Sequence, residues 1–194
     1  MNNKVKILTD KKDIEVVCTK DNIINITGMI GSGKTTLANK YRNHKDYIVI
    51  SLDCLYRGQD KENINEETIK IKKILEKKFP IQDNEQYFKK YYQEIVNYID
   101  SSNKSVTYVL EGQQIYRYLN INDIKGKLII KRTCLAKCWK RSIARHMKRK
   151  KLDLNNNKIT RKQYYQNVWY WTKRRTKQLK YYKQFNYFLS KIAI

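Results

Sequence analysis

The chain has 194 residues, enough for one full hydrophobic core, and a single domain is expected. Its 42 Lys and Arg outnumber 18 Asp and Glu, and the net charge of +24 favours polyanionic partners: nucleotides, nucleic acid or acidic lipid. No run of eighteen apolar residues occurs, so no membrane-spanning helix is expected.

The charge has a second reading. The chain is rich in Lys, Asn, Ile and Tyr and poor in Gly, Pro and Ala, as an AT-rich coding sequence would make it. Charge alone therefore does not assign nucleic-acid binding. The four cysteines, Cys18, Cys54, Cys134 and Cys138, form no C-x-x-C pair. Cys134 and Cys138 share a helix face with only His146 nearby in sequence, too few ligands for zinc. Free thiols in a reducing compartment fit better. The N-terminus leads into no signal-peptide apolar core, and a cytoplasmic protein is expected.

Residues 4–8 and 14–18 read as short strands around a polar turn, an edge hairpin for the main sheet. The β-branched run Ile23–Thr27 reads as a buried central strand. It is followed by Gly28-Met29-Ile30-Gly31-Ser32-Gly33-Lys34-Thr35, a complete G-x-x-x-x-G-K-[ST] phosphate loop. A loop whose N–H groups turn inward binds anions, and glycine bends that tightly at low steric cost. Gly28, Gly31, Ser32, Gly33, Lys34, Thr35 and Thr36 are the candidate nucleotide-binding residues. Lys34 suits the β- and γ-phosphates, and the Thr35 hydroxyl suits Mg²⁺. A helix from residue 32 or 33 to about Asn43 would set its N-terminus against the phosphates. With no LSGGQ-like stretch and no strand ending in Asp-Glu, a transporter-type ATPase is disfavoured.

Tyr47–Ser51 is a second buried strand. Asp53 and Arg57 follow it, where an open parallel sheet gathers its chemistry. Asp53 suits a general base or a Mg²⁺ partner, and Arg57 suits an anionic acceptor; a helix cap and a solvated Arg are the plainer alternatives. Residues 60–79 and 86–99 read as helices, the first closed by Pro80. Residues 105–112 form a third buried strand ending in Glu111, a candidate for Mg²⁺ or for the acceptor. Gln113, Gln114 and Tyr116 could line an acceptor pocket.

Residues 127–132 make the fourth strand, and 135–150 a basic helix with no acidic residue. Arg141, Arg145 and Arg149 share one face of it. Unpaired arginines in register suit a lid that neutralises phosphate charge, with a solvated basic face as the alternative. The Asn-rich stretch 152–158 reads as the tip of that lid, which spans about 134–160. Residues 160–183 read as one long helix whose aromatics alternate with bases. Burial of most of those aromatics is expected, although such interleaving also suits single-stranded nucleic acid. Residues 185–194 read as a last strand, completing five.

With the loop, Asp53 and Arg57, Glu111, Arg141 and Arg145 in this order, the chain resembles the small P-loop kinases over most of residues 22–150. Its nearest local likeness is to phage-type 5′-hydroxyl polynucleotide kinases, in which a strand ends in an Asp followed by an Arg. The resemblance implies Lys34, Asp53, Arg141 and Arg145 as catalytic residues, with Asp53 the base. It also implies Thr35, Asp53 and Glu111 as Mg²⁺ partners, and Arg57 with Glu111 at the acceptor. Cys54 stands where that family usually has a second Asp, and no Glu-Arg-Ser stretch follows Glu111.

The expectation is a single α/β domain over 1–194: three layers, a mostly parallel five-stranded sheet of P-loop NTPase topology, and a helical lid. Its activity would be transfer of the γ-phosphoryl of ATP or GTP, with Mg²⁺. The acceptor would be a nucleoside, nucleotide, small metabolite or nucleic-acid 5′ end. The rival expectation is a nucleic-acid-associated NTPase or NTP-gated binding module.

Overall fold

A computed structural model describes residues 5–9, 22–57, 65–79, 84–102, 105–173 and 175–192. Five strands form one sheet: β1 (Val5–Leu8), β2 (Ile23–Thr27), β3 (Tyr47–Ser51), β4 (Thr107–Glu111) and β5 (Lys127–Lys131). Their order is β1-β5-β2-β4-β3, and every pairing is parallel. β2 lies at the centre and all five of its residues are buried. This explains its continuous apolar run, since a strand covered on both faces has no solvent side to alternate with.

The helices are α1 (Lys34–Arg42), α2 (Leu52–Arg57), α3 (Glu66–Lys78), α4 (Glu85–Ser101), α5 (Gln114–Tyr118), α6 (Leu135–Asn155), α7 (Arg161–Lys173) and α8 (Arg175–Ser190). Successive strand residues point to opposite faces, and the core divides accordingly. Ile24, Ile26, Val49, Val109 and Ile129 pack with Leu37, Ala38 and Tyr41 of α1. Ile23, Ile50, Tyr108, Leu110, Leu128 and Ile130 pack in the other cluster, with Ile71 and Leu75 of α3, Phe88 and Ile95 of α4, and Phe185 and Phe188 of α8. A polar network crosses the second layer. Tyr92 of α4 donates to Asn25 Oδ1 at 3.0 Å, and Asn25 Nδ2 donates to the Lys125 carbonyl at 2.6 Å. Burial pushes the Tyr92 hydroxyl up to about 12.

Several expectations need correction. β1 joins the edge of the sheet parallel to β5, with Val5 opposite Leu128; residues 14–18, the other half of the expected hairpin, lie outside those described. Residues 185–194 do not supply a strand, because α8 runs to Ser190. Phe185 and Phe188 are buried there three positions apart, with ring centroids 5.1 and 6.4 Å from that of Tyr116. That is helical spacing on an apolar run, and β1 supplies the fifth strand instead. The stretch 152–158 is not all loop: α6 extends to Asn155 and includes Asp153, which pairs with Lys150 at 2.9 Å. The expected helix over 160–183 is divided between α7 and α8. Residues 60–64 of the helix expected over 60–79, and the Pro80 expected to close it, lie outside those described.

Candidate functional site

The glycine loop leaves β2 at the carboxyl edge of the sheet. Gly28 sits at the strand exit, and a turn closes where the Ser32 amide donates to the Met29 carbonyl at 3.0 Å. Gly31 has φ +82, and a Cβ there would run into the carbonyl of Cys138 in α6. Both facts demand glycine: the backbone is left-handed, and another helix presses directly on it. Gly33, at φ +96, is the residue from which α1 starts. The loop is fastened from outside as well. Thr133 Oγ1 donates to the Ser32 carbonyl at 3.0 Å, and Arg141 Nη1 donates to the Gly31 carbonyl at 3.2 Å.

The first turn of α1 points two side chains at the neighbouring strand. Lys34 Nζ lies 3.5 Å from Glu111 Oε1, with side-chain exposures of 8% and 1%. Thr35 Oγ1 donates to the same oxygen at 3.1 Å. Register explains the meeting, because Glu111 ends β4 opposite Ile26 of β2 and Ser51 of β3. The β4 exit is held to the loop's strand by the Gly112 amide on the Ile26 carbonyl (3.1 Å) and Thr27 Oγ1 on the Gly112 carbonyl (2.9 Å). A buried carboxylate is tolerated when a cation and hydrogen bonds compensate it, and Glu111 has both. Thr36 is exposed one residue further along α1.

Asp53 stands in the first turn of α2, and its Oδ1 accepts from Gln114 Nε2 at 2.7 Å. Arg57 is the last residue of that helix, and its side chain lies outside the described residues. Around Asp53 the sheet edge holds buried polar atoms with no protein partner: Ser51 Oγ, Gln113 Oε1, Gln114 Oε1 and Tyr116 OH, with Ser32 Oγ in the loop. Burial also drives the Tyr116 hydroxyl well above the usual tyrosine range. Unsatisfied buried polar groups are costly in a native fold, and their clustering on a sheet edge suits a polar ligand.

Of the three arginines in register, only Arg141 reaches the loop; Arg145 and Arg149 are exposed further along α6. Beneath Arg141, Cys138 is fully buried, and burial raises its thiol to about 11. Sequence reasoning missed Thr133 and the packing of Cys138 against Gly31, and gave Gln114 no link to Asp53. Thr133 follows the end of β5, so the rule that ligands gather past strand carboxyl ends would have singled it out. The contact of Cys138 with the loop leaves no mark in the sequence.

Among the described residues, no group of three or more His, Cys, Asp or Glu converges to hold a metal ion, and no helix is long and apolar enough to cross a membrane. No protein-family model and no curated protein matches the chain.

Proposed function

We propose that the chain is an ATP- and Mg²⁺-dependent phosphotransferase of P-loop topology, moving a γ-phosphoryl group to a hydroxyl or phosphate acceptor. The observation that carries the reading is the convergence of Lys34 and Thr35 on Glu111 directly after a glycine loop. A lysine, a hydroxyl and a carboxylate at the N-terminus of a helix are the parts that hold nucleotide phosphates and their counter-ion.

The donors fit Mg²⁺. Thr35 and Glu111 offer oxygen, and this ion is usually held by one or two carboxylates together with substrate phosphates and water. When bound, it neutralises charge on the phosphate oxygens. Lys34 supplies a cation to the β- and γ-phosphates, and the N–H groups that open α1 supply partial positive charge. GTP suits the loop equally, since these groups touch only phosphates.

Asp53 takes the acceptor's proton or orients the acceptor. Gln114, held at 2.7 Å, keeps one carboxylate oxygen fixed and leaves the other for the acceptor. Gln113, Gln114 and Tyr116 offer the acceptor buried polar atoms with no protein partner. Arg141, which donates to the Gly31 carbonyl, balances charge as it develops above the loop, with Arg145 one turn further out.

The test is γ-labelled ATP with Mg²⁺ and a panel of nucleosides, nucleoside monophosphates, 5′-hydroxyl oligonucleotides and sugars. Label on one acceptor class is the expected result. Label found only as free phosphate, released faster with nucleic acid present, would replace this reading with an NTPase. In parallel, Asp53→Asn should lower transfer by about 10²–10⁴-fold while nucleotide binding is retained. Transfer by the variant at the wild-type rate would remove Asp53 from the chemistry.

A further inference from the structure

Helix α7 turns its aromatics in an unexpected direction. Tyr164, Val168 and Trp171 face inward, and Trp171 stacks on His146 of α6 with ring centroids 4.1 Å apart and planes at 27°. The outward face nevertheless carries Tyr165, Trp169 and Tyr170, which are 69%, 61% and 54% exposed. At 100° per residue these three share a half-turn of helix surface with Arg161, Lys162 and Gln166, which are also exposed. Tyr165 and Trp169 stand one turn apart. An amphipathic helix normally hides such rings and exposes polar residues; here the inner face is half-buried and three further rings stand more than half exposed.

The surrounding charge selects the partner. Between residues 135 and 194 stand eighteen Lys and Arg, and Asp153 is the single acidic residue. That residue is already engaged by Lys150, whose hydrogen bond holds its carboxyl below the usual range. The C-terminal third therefore carries most of the +24, and uniform compositional drift does not place charge in that way. Two copies of so basic a face would repel each other, whereas a polyanion is attracted. Exposed rings among cations add a second requirement, planar groups free to stack. Duplex nucleic acid keeps its bases inside, while a single strand offers both phosphates and open base faces.

We propose that the outer face of α7, formed by Arg161, Lys162, Tyr165, Trp169 and Tyr170, binds single-stranded nucleic acid. Bases stack on the three rings, and phosphates lie against the two cations and the bases of neighbouring α6. The site is separate from the glycine loop and does not depend on the phosphotransferase reading. DNA and RNA share the chemistry involved, and the 2′-hydroxyl distinguishes them.

The test uses the full chain and short mixed-sequence oligonucleotides, DNA and RNA, labelled at the 3′ end and bearing a 5′-phosphate. The 5′-phosphate keeps them from accepting a phosphoryl group at a 5′ hydroxyl, so binding is read by anisotropy without nucleotide or turnover. The expected result is single-strand binding tighter than duplex binding of the same length. Trp169→Ala and Tyr165→Ala should each weaken it about 5- to 150-fold, the range for one base–aromatic stack. Arg161→Gln and Lys162→Gln should each flatten the log K against log [salt] slope by about 0.7. Lys89→Gln, which removes a half-exposed charge of α4 that pairs with Glu85, should leave both unchanged. Because the altered rings are exposed, the variants should melt with the wild type. Equal affinity for duplex and single strand, or equal losses in Lys89→Gln and Trp169→Ala, would overturn the proposal. So would a dimer abolished by Trp169→Ala without strand binding, which would assign the face to a second copy of the chain.

Discussion

Replacing Glu111 by Gln isolates the contact on which the site is built. The side chain keeps its shape and can still accept from Thr35, but the negative charge 3.5 Å from Lys34 Nζ disappears. At an effective dielectric constant of about 20, unit charges at that distance attract by about 5 kcal/mol. Desolvation of the carboxylate offsets part of this in the intact pair. In the variant the Lys34 cation stays buried without its partner, and removing one member of a buried pair costs about 3–5 kcal/mol. The expected loss of unfolding free energy is therefore about 3 kcal/mol, or about 6–12 °C in Tm for a chain of this length. Denaturant titration of wild type, E111Q, K34M and the double variant measures it as a coupling energy. The double variant should regain most of what the single variants lose. Polyphosphate should raise the midpoint of E111Q more than that of the wild type, because it gives Lys34 an anion again. A coupling below about 1 kcal/mol would refute the reasoning, since Lys34 and Glu111 would then not be energetically joined.

Other expectations are narrower. Gly31→Ala forces a Cβ into the Cys138 carbonyl at φ +82, so a loss of about 2 kcal/mol or more is expected by denaturation, together with loss of nucleotide binding by calorimetry. Arg141→Ala should slow transfer about 100-fold or more, while exposed Arg149→Ala changes it less than about threefold; equal effects would show that the contact with Gly31 has no part in catalysis. The Cys138 thiol is raised from about 9 to about 11, so at pH 8 alkylation mapped by mass spectrometry should label exposed Cys134 and spare Cys138. The sign for stability follows from the same shift. Below pH 9 the thiol is neutral in both states; between 9 and 11 only the unfolded chain ionises. Wild type should therefore lose stability relative to Cys138→Ala across that window, and a constant difference would contradict it.

The inner frame of this protein was legible because local and global signals agree there. Ile23–Thr27 and Tyr47–Ser51 match the strands residue for residue, since β-branched runs buried on both faces have few alternatives. The glycine loop announces its own conformation, as few side chains tolerate positive φ at positions 31 and 33. The placing of Asp53 and Glu111 past strand ends was also readable, because a parallel sheet puts every such end on one edge.

Periodicity alone determined that residues 160–183 are largely amphipathic, and that residues 185–194 form an apolar stretch. It could not say what covers each face. Phe185 and Phe188 fit either a strand or a helix until Tyr116 of α5 is found beside them. Tyr165 and Trp169 belong to the same pattern as Trp171, and only the packing of α7 on α6 decides that Trp171 is covered while they are not. The same holds at the site. The sequence supplies Lys34, Thr35, Glu111, Asp53, Gln114 and Arg141, but their distances depend on strand register and helix docking. Those are set by contacts between residues far apart in the chain, and they bring Gln114 to Asp53 and Arg141, alone of its row, to the loop.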